Sequence, residues 1–107
     1  MKICIPIMSK SLNGQVSLTF ARSDFFAIVD RHTAAVELVE NPFKNLNQGV
    51  GNQLLPWLLS EYGVDTLLAF ELGLKVQQIA NERRVQLIII SEKKQILKQL
   101  LDYMKIE

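Results

Sequence analysis

Residues 40–56 read Glu-Asn-Pro-Phe-Lys-Asn-Leu-Asn-Gln-Gly-Val-Gly-Asn-Gln-Leu-Leu-Pro, and the chain changes character across them. The residues before this stretch carry the alternation and turn signals of strands. The residues after it alternate helical and strand patterns. Asn41-Pro42 marks a turn, because proline fixes its own φ and drives the preceding residue away from helix. Gly49 and Gly51 let the backbone approach another group closely, and Asn52 is expected to cap the following helix. Such a composition serves plain helix starts as well as ligand loops. With Asn52 as cap, Pro56 falls in the first turn, where a missing N–H is harmless. A helix beginning at Gly49 would instead place Pro56 in its interior.

Upstream, residues 2–8 form the first expected strand. Ile3, Ile5 and Ile7 alternate with Lys2, Cys4 and Pro6, and apolar residues on both faces point to burial on both. Cys4 reads as a buried small hydrophobe. Residues 9–14 are a turn cluster whose tightest signal is Asn13-Gly14. Residues 16–23 read as a short extended segment. A second strand covers 25–30 and a third 35–40, close enough in sequence to pair as an antiparallel hairpin.

Downstream, Leu54, Leu55, Leu58, Leu59 and Tyr62 lie on one face of a helix that Gly63 stops. A fourth strand spans 65–70. Gly73 opens a second helix through Arg84, with Val76, Ile79 and Ala80 inward. Residues 85–90, apolar but for Gln86, read as a strand that is central or covered on both faces. Ser91 is expected to cap a last helix with Ile96, Leu97, Leu100, Leu101 and Met104 on one face. Arg83-Arg84 and Lys93-Lys94 read as solvated helix surface.

The order is therefore β-β-β-α-β-α-β-α. Its second half requires parallel strands with right-handed crossovers. The simplest sheet has the order 3-2-1-4-5 with strand two antiparallel to the rest. Two helices then cover one face and the last covers the other, a three-layer α/β/α fold.

The 107 residues suit one domain, 1–107. With 49% hydrophobic and 21% charged residues the chain should be globular. A net charge of +1 excludes the basic field of a nucleic-acid binder. A single cysteine excludes an internal disulfide. The N-terminal apolar run is too short to cross a membrane and holds Pro6, so a cytoplasmic protein without a membrane partner is expected.

In this topology strands one, three, four and five end at one rim, where the helices begin. The loops 8–24, 41–52, 70–74 and 90–92 should meet there. The strand order switches direction between strands one and four, the place where open α/β sheets bind ligands. Helix starts offer free amides to anions, and Arg22 should point toward those near Gly51 and Gly73. An electropositive, glycine-lined cleft for an anion follows. A catalytic centre does not. His32 falls in a turn at the opposite end of the sheet. Asp24 and Glu71 are the carboxylates that could share the rim, and Glu71 also suits the start of the second helix. Cys/His spacing for zinc or iron–sulfur ligation is missing. The first strand lacks the carboxylates that ribonuclease H chemistry sets around divalent metal.

The same residues resemble the dinitrogenase iron–molybdenum cofactor biosynthesis domain family. Ile5-Pro6 ends the first strand as in that family. Ser17-Leu18-Thr19-Phe20-Ala21-Arg22 resembles its Ser-x-His-Phe-Gly-Arg segment, followed by Phe25-Phe26 and Val29-Asp30. Glu40-Asn41-Pro42, Gly49-Val50-Gly51, Gly63-Val64-Asp65 and Gly73 stand at the later family positions. Thr19 replaces a frequent histidine, Ala21 a glycine, and Phe70-Glu71-Leu72 a smaller glycine-bearing segment. The resemblance implies a ribonuclease H-like fold and binding in place of catalysis. The expected ligand is an iron–sulfur or iron–molybdenum type cluster, or molybdate, held by Thr19, Phe20, Arg22, Gly49, Gly51, Asn52 and Gly73. A partner protein in cofactor assembly is implied as well. The alternative expectation is a protein-interaction or regulatory domain that keeps the fold without the cluster.

Overall fold

The computed structural model describes residues 2–46, 48–91 and 95–104. Strands β1 (Lys2–Ile7), β2 (Phe25–Asp30) and β3 (Val36–Glu40) come first. They are followed by α1 (Val50–Tyr62), β4 (Val64–Ala69), α2 (Leu74–Glu82), β5 (Gln86–Ile89) and α3 (Leu97–Met104). The sheet runs β3-β2-β1-β4-β5, as the sequence predicts. β2 is antiparallel to β1 and β3, whereas β4 runs parallel to both β1 and β5. Among the described residues no helix is long and apolar enough to cross a membrane.

β1 is central because both its faces are apolar, and each face feeds a separate core. Ile3, Ile5 and Ile7 pack with Val16, Ala27, Val29, Leu68, Leu97 and Leu100 under α3. Cys4 points the other way, among Phe26, Ile28 and Leu67 of the sheet and Leu54, Leu55, Leu58, Val76 and Ala80 of α1 and α2. The ladder from β1 to β4 ends at Cys4↔Leu67. Pro6, which has no N–H, therefore lies where that side of the strand makes no further pairs.

Cys4 is fully buried, and burial pushes its thiol well up from the ordinary value. The reactive thiolate is thus suppressed twice, by access and by protonation. Native protein is expected to label with a thiol reagent far more slowly than urea-denatured protein. Equal rates in the two states would contradict the central place of β1.

Four local expectations are corrected. The first helix starts at Val50 with Gly49 as its cap, and Gln53 N–H donates to the Gly49 carbonyl. Asn52 is therefore a helical residue, and Pro56 lies inside the helix. Because Pro56 lacks an N–H, the Asn52 carbonyl has no amide four residues on to accept from. Gly49 caps at φ 78°, a backbone conformation that glycine adopts without steric cost. Second, residues 85–90 are not covered on both faces. β5 is an edge strand with only its inner contacts shielded, and Ile89 is 58% exposed. Third, Ser91 does not cap the last helix, which begins at Leu97. Fourth, Arg83 and Arg84 follow α2 instead of lying on it, and Arg84 takes a positive φ of 59°. The readings of Lys93-Lys94 and of the Met104 side chain lie outside the described residues.

Candidate functional site

The connection from β1 to β2 crosses the carboxyl end of the sheet, and its buried residues anchor it. Ser17 N–H donates to the Pro6 carbonyl at 2.9 Å. The Ser23 hydroxyl reaches the carbonyls of Ile7 and Phe25, each at 2.9 Å. Between these pins Phe20 turns inward, 2% exposed, with its ring 5.2 Å from that of Phe26. Thr19 and Arg22 are left exposed on either side. Thr19 N–H donates to Ser17 Oγ at 3.3 Å.

Thr19, Phe20, Ala21 and Arg22 form one wall of a cleft of about 290 Å³, and Glu71, Leu72 and Gly73 form the other. The walls are the connections leaving β1 and β4, so the cleft opens where the sheet order reverses. Gly73 is the cap of α2, whose first turn carries no acidic residue. Gln77 Nε2 donates to the Leu72 carbonyl at 2.8 Å and braces that wall.

Arg22 belongs to a second set of contacts. Its Nη1 donates to the Lys44 carbonyl at 2.9 Å. The guanidinium is thus tied to the turn after β3, and Arg22 is at the same time one of the residues that line the cleft with Gly73. Lys44 Nζ in turn meets Asp24 Oδ1 at 2.9 Å. That hydrogen bond, then the charges of Asp24 and Glu40, raise the Lys44 amine above its ordinary value. Asp24 therefore engages Lys44 while Glu71 lines the cleft, and the two carboxylates do not form an acid–base pair.

Thr19, Phe20, Arg22 and Gly73 are accordingly brought together. Gly49, Gly51 and Asn52 are not among the lining residues. Gly51 is buried where α1 meets α2, and a Cβ there would come within 3.1 Å of Val76 Cγ2. Its lack of a side chain serves helix packing. Asn52 is exposed on α1. The start of α3 does not offer free amides either: Leu97 N–H donates to the Gly14 carbonyl and Lys98 N–H to that of Leu12, both at 2.8 Å. His32 sits at the far end of the sheet in the exposed turn between β2 and β3. Its backbone N–H donates to Asp30 Oδ1 at 2.8 Å, and this bond with that from Thr33 holds the Asp30 carboxyl below its ordinary value. Among the described residues no three His, Cys, Asp or Glu side chains gather as a metal site.

The sequence reading took Asn41 as a turn residue and a family position, with no long-range contact for its side chain. Its side chain is 2% exposed and bonded to main chain 18 and 20 residues away. No local pattern announces such a contact.

The fold has relatives. The chain is similar to the orange protein of Desulfovibrio gigas, solved in its apo form: 25% identity over 97% of this chain and 86% of that one, with a TM-score of 0.83. It is similar to a Thermotoga protein described as a candidate NifB protein, with 25% identity over the same shares and a TM-score of 0.76. The crystal structure of PH0822 shares the fold at 23% identity and a TM-score of 0.76, covering 97% of this chain and 89% of that one. No curated protein matches the sequence significantly. The family profile described as dinitrogenase iron-molybdenum cofactor matches residues 1–106, and the chain belongs to that family.

Proposed function

We propose that this domain is a non-catalytic carrier that holds an anionic metal cluster or an oxyanion such as molybdate at the carboxyl rim of its sheet. One observation supports the reading above others: Arg22 and the start of α2 line the same cleft. A guanidinium supplies forked donors, and a helix start supplies amides and partial positive charge. Glu71 opposes them, so the cleft favours a ligand with more than one negative charge. The described residues provide no cluster of metal ligands. A cluster bound here would keep its own sulfide ligands and be held by hydrogen bonds from outside. Family membership and the likeness to the orange protein, whose solved form is called apo, agree with a bound cargo.

A second reading has an observation of its own. Leu18 and Leu74, next in sequence to the cleft, are 48% and 76% exposed. Met8, Leu12 and Ile89 are exposed at the same rim. Apolar side chains grouped at one end suit a protein-interaction domain without cargo.

Titration with molybdate, and anaerobic reconstitution with iron, sulfide and molybdate followed by metal analysis, separate the two. The carrier reading expects saturable binding. It also expects Thr19→His to retain more metal than the wild type, because imidazole is a far better ligand for such metals than a hydroxyl. If the wild type binds neither probe and Thr19→His gains nothing, the interaction reading replaces it.

A further inference from the structure

We infer that Asn41 is a positioning residue for Arg22, holding its main chain while the neighbouring turn holds its guanidinium. The inference rests on the reading of Arg22 as the contact for the bound anion. Asn41 Nδ2 donates to the carbonyls of Ala21 at 2.9 Å and Ser23 at 2.8 Å, the residues on either side of Arg22. Asn41 Oδ1 accepts from Phe43 N–H at 2.9 Å, which fixes the turn that follows β3. The next residue of that turn, Lys44, offers the carbonyl that receives Arg22 Nη1. Asn41 N–H adds a bond to the Asp24 carbonyl at 3.0 Å.

The side-chain chemistry is specific. Two donors on one nitrogen and an acceptor beside it are what a primary amide provides. An aspartate would face both carbonyls without a donor, and a serine could satisfy only one. Burial makes the arrangement costly to disturb, since the carbonyls of Ala21 and Ser23 would lose their partner. Arg22 itself is exposed on a long side chain, so binding through it costs rotamer freedom unless something restrains it beforehand. The turn beginning at Asn41 supplies that restraint at both the peptide and the guanidinium.

A merely structural role and a positioning role differ in how they combine with loss of the arginine. Molybdate affinity would be measured for wild type, Asn41→Ala, Arg22→Ala and the double variant. Asn41→Ala is expected to weaken binding about three- to ten-fold when Arg22 is present, the scale of losing a neutral hydrogen bond. In the Arg22→Ala background it should weaken binding less than about two-fold, because the coupled partner is gone. Equal losses in both backgrounds would overturn the inference. A second measurement does not depend on the anion. ¹⁵N relaxation at Arg22 Nε should report a restrained side chain in the wild type and a mobile one in Asn41→Ala. Asn41→Ser, which keeps one donor, serves if Asn41→Ala does not fold. An Nε signal as rigid in the variant as in the wild type would sink the proposal. If Nε loosens as expected but the wild type binds no molybdate, the positioning stands and the anion reading falls.

Discussion

Leu58→Ala is expected to destabilise the protein by about 2–5 kcal/mol, the range for removing a buried leucine side chain. Leu58 is completely buried in the middle of α1, with Leu54 and Leu55 one turn before it on the same face. That face lies on the side of the sheet where Cys4, Phe26 and Leu67 point, and α2 closes it with Val76 and Ala80. The site is enclosed by a central strand and by a helix whose approach depends on Gly51. Neither can collapse far into the space of an isobutyl group, so the loss should fall in the upper part of the range. Urea denaturation with an unchanged m-value would measure it. A loss under about 0.5 kcal/mol would be typical of a surface position and would contradict the packing of α1 on the sheet.

Arg22→Ala is expected to weaken molybdate binding ten- to a hundred-fold, as loss of a charge-assisted hydrogen bond of about 1.5–3 kcal/mol implies. Stability should fall by less than about 1 kcal/mol, because the side chain is exposed and water can replace the protein at bonds such as that to the Lys44 carbonyl. Arg22→Lys keeps the charge without the planar fork and should bind with intermediate affinity. Isothermal titration at constant ionic strength would measure all three proteins, since the charge contribution is screened by salt. Unchanged affinity in Arg22→Ala would remove the guanidinium from the site and leave the start of α2 as the sole attraction.

The topology was legible because the strands, β5 apart, announce their environment. Lys2–Ile7 is apolar on both faces and takes the centre. Val36–Glu40 carries two exposed glutamates, Glu37 and Glu40, and takes an edge. Gln86–Ile89 is the strand whose burial misled. Its apolar run resembles that of a covered strand, yet continuity of hydrophobic residues does not say how many neighbours a strand has. The start of α1 was misplaced because propensity favours Asn52 as a cap, whereas tertiary packing of Gly51 on Val76 draws the helix back to Val50. In the cleft, strand directions placed the loops that carry Arg22 and Gly73 at the rim, and the family resemblance singled out Thr19 and Phe20. Gly49 and Gly51 carry the same sequence signal as ligand glycines but go to a helix cap and a helix crossing. Asn41 was missed because its bonds span the gap between two loops that only the folded sheet brings together.

The bonds that seat α3 on the loop after β1 have a consequence for how the molecule opens. Val16 N–H reaches the Gln95 carbonyl, and Leu97 and Lys98 reach those of Gly14 and Leu12. A helix of 8 residues does not persist without such partners. Release of α3 and loosening of the loop are therefore one sub-global event, exposing the isoleucine face of β1 while the core around Cys4 stays shut. Thr19 and Arg22 lie a few residues beyond Val16 on that same loop. A ligand that orders them disfavours the open form, so occupancy of the cleft is thermodynamically linked to protection of the last helix on the opposite layer.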